Sequence, residues 1–398
     1  MNIYARFGVP TVINACGTVT RLGGGMVHPE ILAAMQEAAA SSVDMMALQA
    51  GASRVIANAT GAEAGIVTCG ASAALLLAAA SCLTSLDPAR MNALPHVPDG
   101  RNEFITVRSQ RNMYDRAIQV AGGHIIEVGI PDRFSGPGVR DAAAWEIAAA
   151  IGSRTAGLLW LAQPHSLPTL PEIVATARAH GVPVLVDAAA QLPPLTNLRR
   201  FIAEGADLVA FSGGKAIGGP QASGILCGRR DLVSAALVQM LDVDLLQEQV
   251  EIPDEFAPLR QMPGLPHHGI GRSCKVGKEE IIGLLVALQR FTVANETDRY
   301  ASWRSLLETI VANAAGASGL TLTIVDGTVP VLRVQTPAPS ALAEALAGGD
   351  PAIHCSLARR EEGALLIMPT ALRPEDATVI GRRLRECAPT LPVVQAED

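Results

Sequence analysis

Lys215 lies in the run Ser212-Gly213-Gly214-Lys215-Ala216-Ile217-Gly218-Gly219-Pro220, directly after a short apolar stretch at 206–211. An earlier apolar stretch, 182–187, ends on Asp187. A lysine and an aspartate at the ends of neighbouring strands can hold opposite sides of a pyridoxal ring. The lysine amine condenses with the aldehyde. The carboxylate keeps the ring nitrogen protonated, so the ring can draw electrons from a bound amino acid.

Other residues of suitable type fall at comparable places. The turn Thr68-Cys69-Gly70-Ala71-Ser72 joins an expected strand, 64–68, to an expected helix, 71–83. Its small residues let backbone N–H groups approach an anion at the helix N-terminus, and Ser72 adds a hydroxyl. The turn therefore suits a phosphate, and serves equally as a tight joint between helix and sheet. Ser212 is a second phosphate donor or a strand-end cap. Gly213 and Gly214 are expected to let the chain turn sharply and to leave room for the cofactor. Gln110 follows the expected strand 104–108, and His165 follows 155–161. One of Gln110, Arg111 and Asn112 is placed to cover the ring face or meet substrate, and His165 to meet the ring hydroxyl; each also reads as an ordinary polar loop residue. In the stretch 250–280, Arg272 and Lys275 suit a substrate anion or a solvated basic face, and Arg373 and Arg333 are further candidates. No metal is expected at His267 and His268, because adjacent histidines diverge and no carboxylate stands at helical spacing.

These residues need a frame that brings strand ends together. Apolar stretches at 64–68, 104–108, 124–128, 155–161, 182–187 and 206–211 alternate with helical patterns at 71–83, 114–121, 141–151, 170–180 and 197–204, and a seventh apolar stretch at 223–227 closes the set. Such alternation, with near-continuous apolar strands, predicts an α/β fold with a mostly parallel, seven-stranded sheet sandwiched by helices. Ligands on such sheets bind beyond the carboxyl ends of the strands. Three parts are expected: an N-terminal arm at 1–28, a large cofactor-binding domain at 29–255, and at 256–398 a connecting loop, one long helix at 278–314 and a small α/β domain.

The bulk composition excludes several classes. The chain has 398 residues, 49% of them hydrophobic, and a formal net charge of −7. That balance argues against a protein that coats nucleic acid, and only 3% aromatic residues leaves little for base stacking. Seven cysteines are scattered with no C-x-x-C pair, which suits free thiols in a reducing, cytoplasmic setting. No signal-peptide pattern opens the chain, and the longest apolar run, 71–83, is too short to span a bilayer. No G-x-S-x-G or P-loop motif occurs.

In the order Gly70-Ala71-Ser72, Tyr114-Asp115, Val186-Asp187 and Ser212-Gly213-Gly214-Lys215, the chain resembles the fold-type I pyridoxal-phosphate enzymes. Within them it is similar to the group of D-glucosaminate-6-phosphate ammonia-lyase and bacterial selenocysteine synthase (L-seryl-tRNA selenium transferase). The segments 12–18, 61–64 and 271–280 carry the same likeness. The resemblance implies pyridoxal 5'-phosphate as cofactor, with Lys215 as its attachment point and proton shuttle and Asp187 on the pyridine nitrogen. It assigns the phosphate to Gly70, Ala71, Ser72 and Ser212. Gln110 stands where related enzymes often place a histidine stacked on the ring. Gly214 stands where sulfur-transferring relatives carry a histidine, which lowers the expectation of that chemistry. The first of these segments starts at Val12, so no tRNA-binding module is expected ahead of it.

The function expected is a lyase that eliminates water and ammonia from a small hydroxyamino acid, sugar-derived or phosphorylated, to give a 2-keto acid. Racemisation, aldol cleavage and transamination remain alternatives on the same scaffold; selenium or sulfur transfer is a more distant one. The expected partner is a small molecule, with no nucleic acid and no membrane. The resemblance also implies a homodimer or higher homo-oligomer.

Overall fold

The strands form where the sequence places β-branched and apolar residues in short uninterrupted runs. In chain order they are β1 (Val12–Ala15), β2 (Ala64–Thr68), β3 (Glu103–Val107), β4 (His124–Val128), β5 (Thr155–Leu161), β6 (Val184–Asp187), β7 (Leu208–Ser212), β8 (Gly224–Gly228), β9 (Thr321–Val325), β10 (Val331–Gln335), β11 (Ala352–Cys355) and β12 (Ala364–Ile367). The computed structural model describes residues 2–130, 141–242, 244, 246 and 249–390. The chain divides into two units, Val27–Thr292 and Met1–Met26 with Val293–Asp398.

The larger unit is built on a seven-stranded sheet in the order β2-β8-β7-β6-β5-β3-β4. Only β8 runs against its neighbours, so the other six strands end on one edge. This is the mostly parallel α/β sheet expected from the sequence. β2, β6 and β8 are buried along their whole length, which requires cover on both faces. The helix Ala71–Thr84 is apolar on every side and buried from Ala73 onward, as a helix enclosed by sheet and neighbours must be.

The outer edge of β2 is closed by side chains rather than by another strand. Gln49, on the helix Met45–Thr60, donates to the Val67 carbonyl at 2.8 Å and accepts from the Val67 N–H at 3.0 Å. Ser53, one turn on, accepts from the Gly65 N–H at 3.1 Å. Edge groups that would otherwise invite another strand are thereby satisfied.

The smaller unit pairs β1 with β11 in parallel and carries the antiparallel sheet β12-β10-β9. Helices Glu296–Asn313, Pro339–Ala347 and Pro374–Cys387 belong to it, and its core gathers Ile13, Leu307, Ile310, Leu332, Leu342 and Ile380. Gly381 lets two of these helices meet closely, since a Cβ there would stand 2.5 Å from the Ile310 carbonyl oxygen.

The structure divides the chain differently from the three parts expected. The arm joins the smaller unit, because Ile13 and Ala15 fill its core and β1 pairs with β11. Residues 256–292 join the larger unit, where Phe256, Leu259, Ile281, Leu284 and Leu288 are buried. The long helix expected at 278–314 is two helices, Lys278–Val293 and Glu296–Asn313. Asn295 separates them by capping the second, its side chain accepting from the Thr297 N–H at 2.8 Å. Among the described residues, no helix is long and apolar enough to cross a membrane.

Candidate active site

Asp187 ends β6, opposite Leu161 of β5 on one side and Ala210 of β7 on the other. Its side chain is 7% exposed, and Oδ1 accepts from the Ala189 N–H at 3.0 Å. Burial pushes its carboxyl pKa above the ordinary range. The Ala189 N–H and the Lys215 ammonium draw it back, and the nearby Asp115 carboxylate pushes it up. Lys215 is half-buried, and burial pulls its ammonium pKa below the ordinary range against the opposing pull of Asp187. The two charges attract one another from neighbouring strand ends, each raised in energy by desolvation.

Lys215 is held by a tight turn after β7. The Gly213 N–H donates to the Ser223 carbonyl at 2.9 Å, Gly218 to Lys215 at 2.9 Å, and Gly219 back to Gly213 at 2.9 Å. The glycines here make room for the chain itself, which turns back sharply as expected. A Cβ on Gly213 would stand 2.3 Å from Ser223 Oγ, and one on Gly214 would stand 2.7 Å from the Cα of Gln221. A histidine at position 214 has no place to go in this backbone.

The phosphate-type turn lies on the same edge. Thr68 and Ser212 both pair with Gly224, from either side of β8. Gly70 adopts φ 143°, a conformation that favours glycine, and its carbonyl accepts from Thr68 Oγ1 at 2.9 Å. The first intrahelical bond runs from the Ala74 N–H to the Gly70 carbonyl at 3.0 Å. The N–H groups of Ala71, Ser72 and Ala73 therefore have no acceptor within the helix, and among the described residues no side chain caps them. Ser72 is exposed and Ala71 half-buried, so this end opens outward. Gly224 packs directly beneath, where a Cβ would stand 2.5 Å from the Gly70 carbonyl carbon.

The remaining expected residues are placed more variously. Gln110 is 4% exposed and its amide is spent on backbone: Oε1 accepts from the Leu161 N–H at 3.0 Å and Nε2 donates to the Leu167 carbonyl at 3.4 Å. His165 is exposed in the loop after β5. Arg272 donates to Asp242 Oδ2 at 2.8 Å and lines a cavity of about 750 Å³ with Lys275, Met45 and Leu241. Neither Lys215 nor Asp187 lines that cavity. A smaller one, about 350 Å³, is lined by Cys69, Ala222, Lys275 and Lys278 and so adjoins the phosphate-type turn. Geometry and charge make the pair the better centre of a site than cavity size does. Arg373, in the smaller unit, caps the helix Pro374–Cys387 and donates to Asp376 Oδ1 at 3.1 Å; Arg333 pairs with Glu362 at 3.3 Å. His268 Nε2 meets Asp244 Oδ1 at 2.8 Å on the surface.

Asp115 is the residue whose part the sequence reading left unassigned. It is 5% exposed, ion-paired with Arg111, and accepts from the Asn112 N–H at 3.2 Å. Arg111 also pairs with Glu127, which pairs with Arg108 at 2.9 Å. The signal was present as the capping box Asn112–Asp115, an N-cap residue with an acid three positions on. Its electrostatic reach to Asp187 depends on the tertiary fold.

Residues 12–250, more than half of the 398, match the family model described as SelA, L-seryl-tRNA selenium transferase. The chain belongs to this family. Along its length it is 32% identical over 403 residues to a 5'-C-glycyluridine monooxygenase-decarboxylase of Streptomyces sp, covering 96% of this chain and 91% of that one. It is 30% identical over 401 residues to the D-glucosaminate-6-phosphate ammonia lyase of Salmonella typhimurium (strain 14028s / SGSC 2262), covering 97% and 98%. The solved structure of a D-glucosaminate-6-phosphate ammonia-lyase superposes with a TM-score of 0.79 at 29% identity, covering 98% of this chain and 99% of that one. Family membership agrees with the resemblance carried by the Lys215 and Asp187 segments.

Proposed function

We propose that this chain is a pyridoxal-phosphate-dependent lyase that removes water and ammonia from a small hydroxylated, sugar-derived amino acid and yields a 2-keto acid. The observation that carries this reading is the buried Asp187 carboxylate one strand from the half-buried Lys215 amine, with the open amides of Ala71, Ser72 and Ala73 on the same edge. These residues fit the group. A carboxylate whose burial is costly gains from a ring N–H⁺, an amine with a lowered pKa suits an aldehyde, and a helix start with unbonded N–H groups suits a phosphate. When bound, the cofactor supplies an electron sink for negative charge at the substrate α-carbon.

Each residue then has a defined task. Asp187 holds the proton on the ring nitrogen. Gly70, Ala71, Ser72 and Ser212 hold the phosphate. Gln110 fixes the backbone at the ends of β3 and β5, and His165 stands in the loop beyond. Lys215 Nζ would hold the cofactor aldehyde, and as a free amine it would move the proton at the substrate α-carbon, helped by the burial that lowers its pKa. The same proton can pass to the β-hydroxyl, which leaves as water. The released enamine tautomerises, and water returns to free ammonia and the 2-keto acid. Arg272, at the cavity, is assigned to a substrate anion. The ammonia lyase relative, matched along nearly its whole length, supports a sugar-derived substrate. Seven cysteines without a disulfide support a reducing, cytoplasmic setting, and the fold-type resemblance supports a homo-oligomer.

A second reading is favoured by the monooxygenase-decarboxylase relative at 32% identity: loss of carboxylate with consumption of oxygen, on an amino acid attached to a nucleoside. The test is a screen of D- and L-hydroxyamino acids, with and without phosphate, read for ammonia, 2-keto acid, carbon dioxide and oxygen uptake. Equal release of ammonia and keto acid without oxygen uptake supports the lyase; carbon dioxide with oxygen uptake supports the second reading. Borohydride reduction of the loaded protein should fix the cofactor on the Lys215 peptide. Labelling elsewhere, or unchanged labelling of Lys215→Ala, overturns both.

A further inference from the structure

Leu161, the last residue of β5, is held by two buried side chains. The ladder between β3 and β5 has its last pair at Ile105 and Leu158, three residues earlier. Beyond it, the Leu161 N–H donates to Gln110 Oε1 at 3.0 Å, and the Leu161 carbonyl accepts from Ser166 Oγ at 2.6 Å. Gln110 is 4% exposed and Ser166 8%. Side chains thus satisfy both backbone groups of a strand-end residue that the ladder has left behind.

Ser166 belongs to the loop 162–168, which is tied along its length. The Ser166 N–H donates to the Gln163 carbonyl at 3.1 Å, and Gln110 Nε2 to the Leu167 carbonyl at 3.4 Å. The buried Trp160 donates from Nε1 to the Pro168 carbonyl at 3.0 Å. The clamp on Leu161 also reaches Asp187. Leu161 and Asp187 are paired across β5 and β6, and the next residue, Ala162, donates its N–H to the Asp187 carbonyl at 2.9 Å. Toward β7, the Ala188 N–H donates to the Ala210 carbonyl at 3.0 Å. The backbone at Asp187 is therefore bonded to both neighbouring strand ends, and its hold on the β5 side passes through the residue that Ser166 and Gln110 clamp.

We propose that Ser166 is a positioning residue for Asp187: its bond to Leu161 fixes, through Ala162, where the Asp187 carboxylate stands at the carboxyl edge of the sheet. This role rests on the function proposed above, in which that carboxylate pairs with a ring N–H⁺. A charge-assisted hydrogen bond of this kind needs its groups placed to within about 0.5 Å. Without the Ser166 hydroxyl, the Leu161 carbonyl loses its donor, the end of β5 shifts, and the carboxylate shifts with it. Ser166 acts only through the strand end.

The test titrates cofactor-free protein with pyridoxal phosphate, read by visible absorbance, in a double-mutant cycle of Ser166→Ala and Asp187→Asn. In the wild-type background Ser166→Ala should weaken loading several-fold. In the Asp187→Asn background it should change loading by less than about twofold, because no carboxylate is left to misplace. Any loss of thermal stability should be the same in both backgrounds, and protection by inorganic phosphate should be unchanged. Ser166→Thr keeps the donor and should load as the wild type does. If Ser166→Ala fails to fold, Ser166→Cys, a weaker donor of similar size, takes its place in the cycle. Equal weakening in both backgrounds makes Ser166 a general support of the fold and overturns the proposal, as does undiminished loading of Ser166→Ala in the wild-type background. A wild-type protein that takes up no pyridoxal phosphate at all is a separate outcome: it overturns the proposed function, and the positioning role with it.

Discussion

The side-chain oxygen of Gln110 accepts from the Leu161 N–H at 3.0 Å, one residue pair away from Asp187, since Leu161 and Asp187 face each other across β5 and β6. Gln110 thus ties the end of β3 to the end of β5 beside the candidate site. Gln110→Ala leaves the half-buried Leu161 N–H and the Leu167 carbonyl without their side-chain partner and should lower stability by roughly 0.5–1.5 kcal/mol in urea unfolding. Gln110→Glu keeps the acceptor for Leu161 but buries a carboxylate against the Leu167 carbonyl, and should cost more than alanine near neutral pH. Stability unchanged by the alanine variant would remove the bridging role.

Gly214 is held by the Cα of Gln221 at the position a side chain would take. Gly214→Ala should therefore displace the return segment 220–223, cost about 1–3 kcal/mol as an overpacked site does, and disturb Lys215 next door. The matching readout is weaker borohydride labelling of Lys215. Gly214→His should lose more stability and gain no new transfer activity. A stable, fully labelled Gly214→His protein would contradict this.

Asp187 gives a pH signature in the cofactor-free protein. Its folded pKa lies above its unfolded one, chiefly through burial. Stability from the protonated form is thus fully present below the unfolded value of about 3.9 and is lost as pH rises through the folded value. Asparagine imitates the protonated form at every pH. Cofactor-free Asp187→Asn should then melt above the wild type near neutral pH, with the gap closing toward acid. With cofactor present the order should reverse, because asparagine cannot balance a ring N–H⁺. Thermal melts across pH, with and without pyridoxal phosphate, read both.

Gly70 adopts φ 143° at the start of the helix Ala71–Thr84. Gly70→Ala should cost on the order of 1–3 kcal/mol from backbone strain and lower protection by inorganic phosphate. Ser72→Ala, at an exposed position, should leave stability intact and weaken only that protection. Equal phosphate protection in both variants and the wild type would move the phosphate site elsewhere.

Much of this site was legible in the sequence, for local reasons. Apolar runs ending on Asp187 and just before Lys215 mark strand ends, and small residues at 69–72 mark a turn into a helix. Less legible was anything set by distant packing. The arm pairs β1 with β11 and buries Ile13 among residues from the far end of the chain, which no local pattern announces. The helical pattern from 278 to 314 ran through Asn295, because good helix formers on both sides mask a single cap. Gln110 was placed near the right strand end, but its bond partners come from β5 and the loop beyond it.

The sequence by itself determined the residue types at the strand ends, the parallel frame and the family. Apolar continuity and turn chemistry are short-range properties that survive without coordinates. The tertiary structure alone decided which of those residues face one another and how their protons are held. Desolvation and neighbouring charge shift Asp187 up and Lys215 down only once β5, β6 and β7 lie side by side. The same holds for Gly214: its lack of a side chain is explained by Gln221, seven residues on, folding back against it.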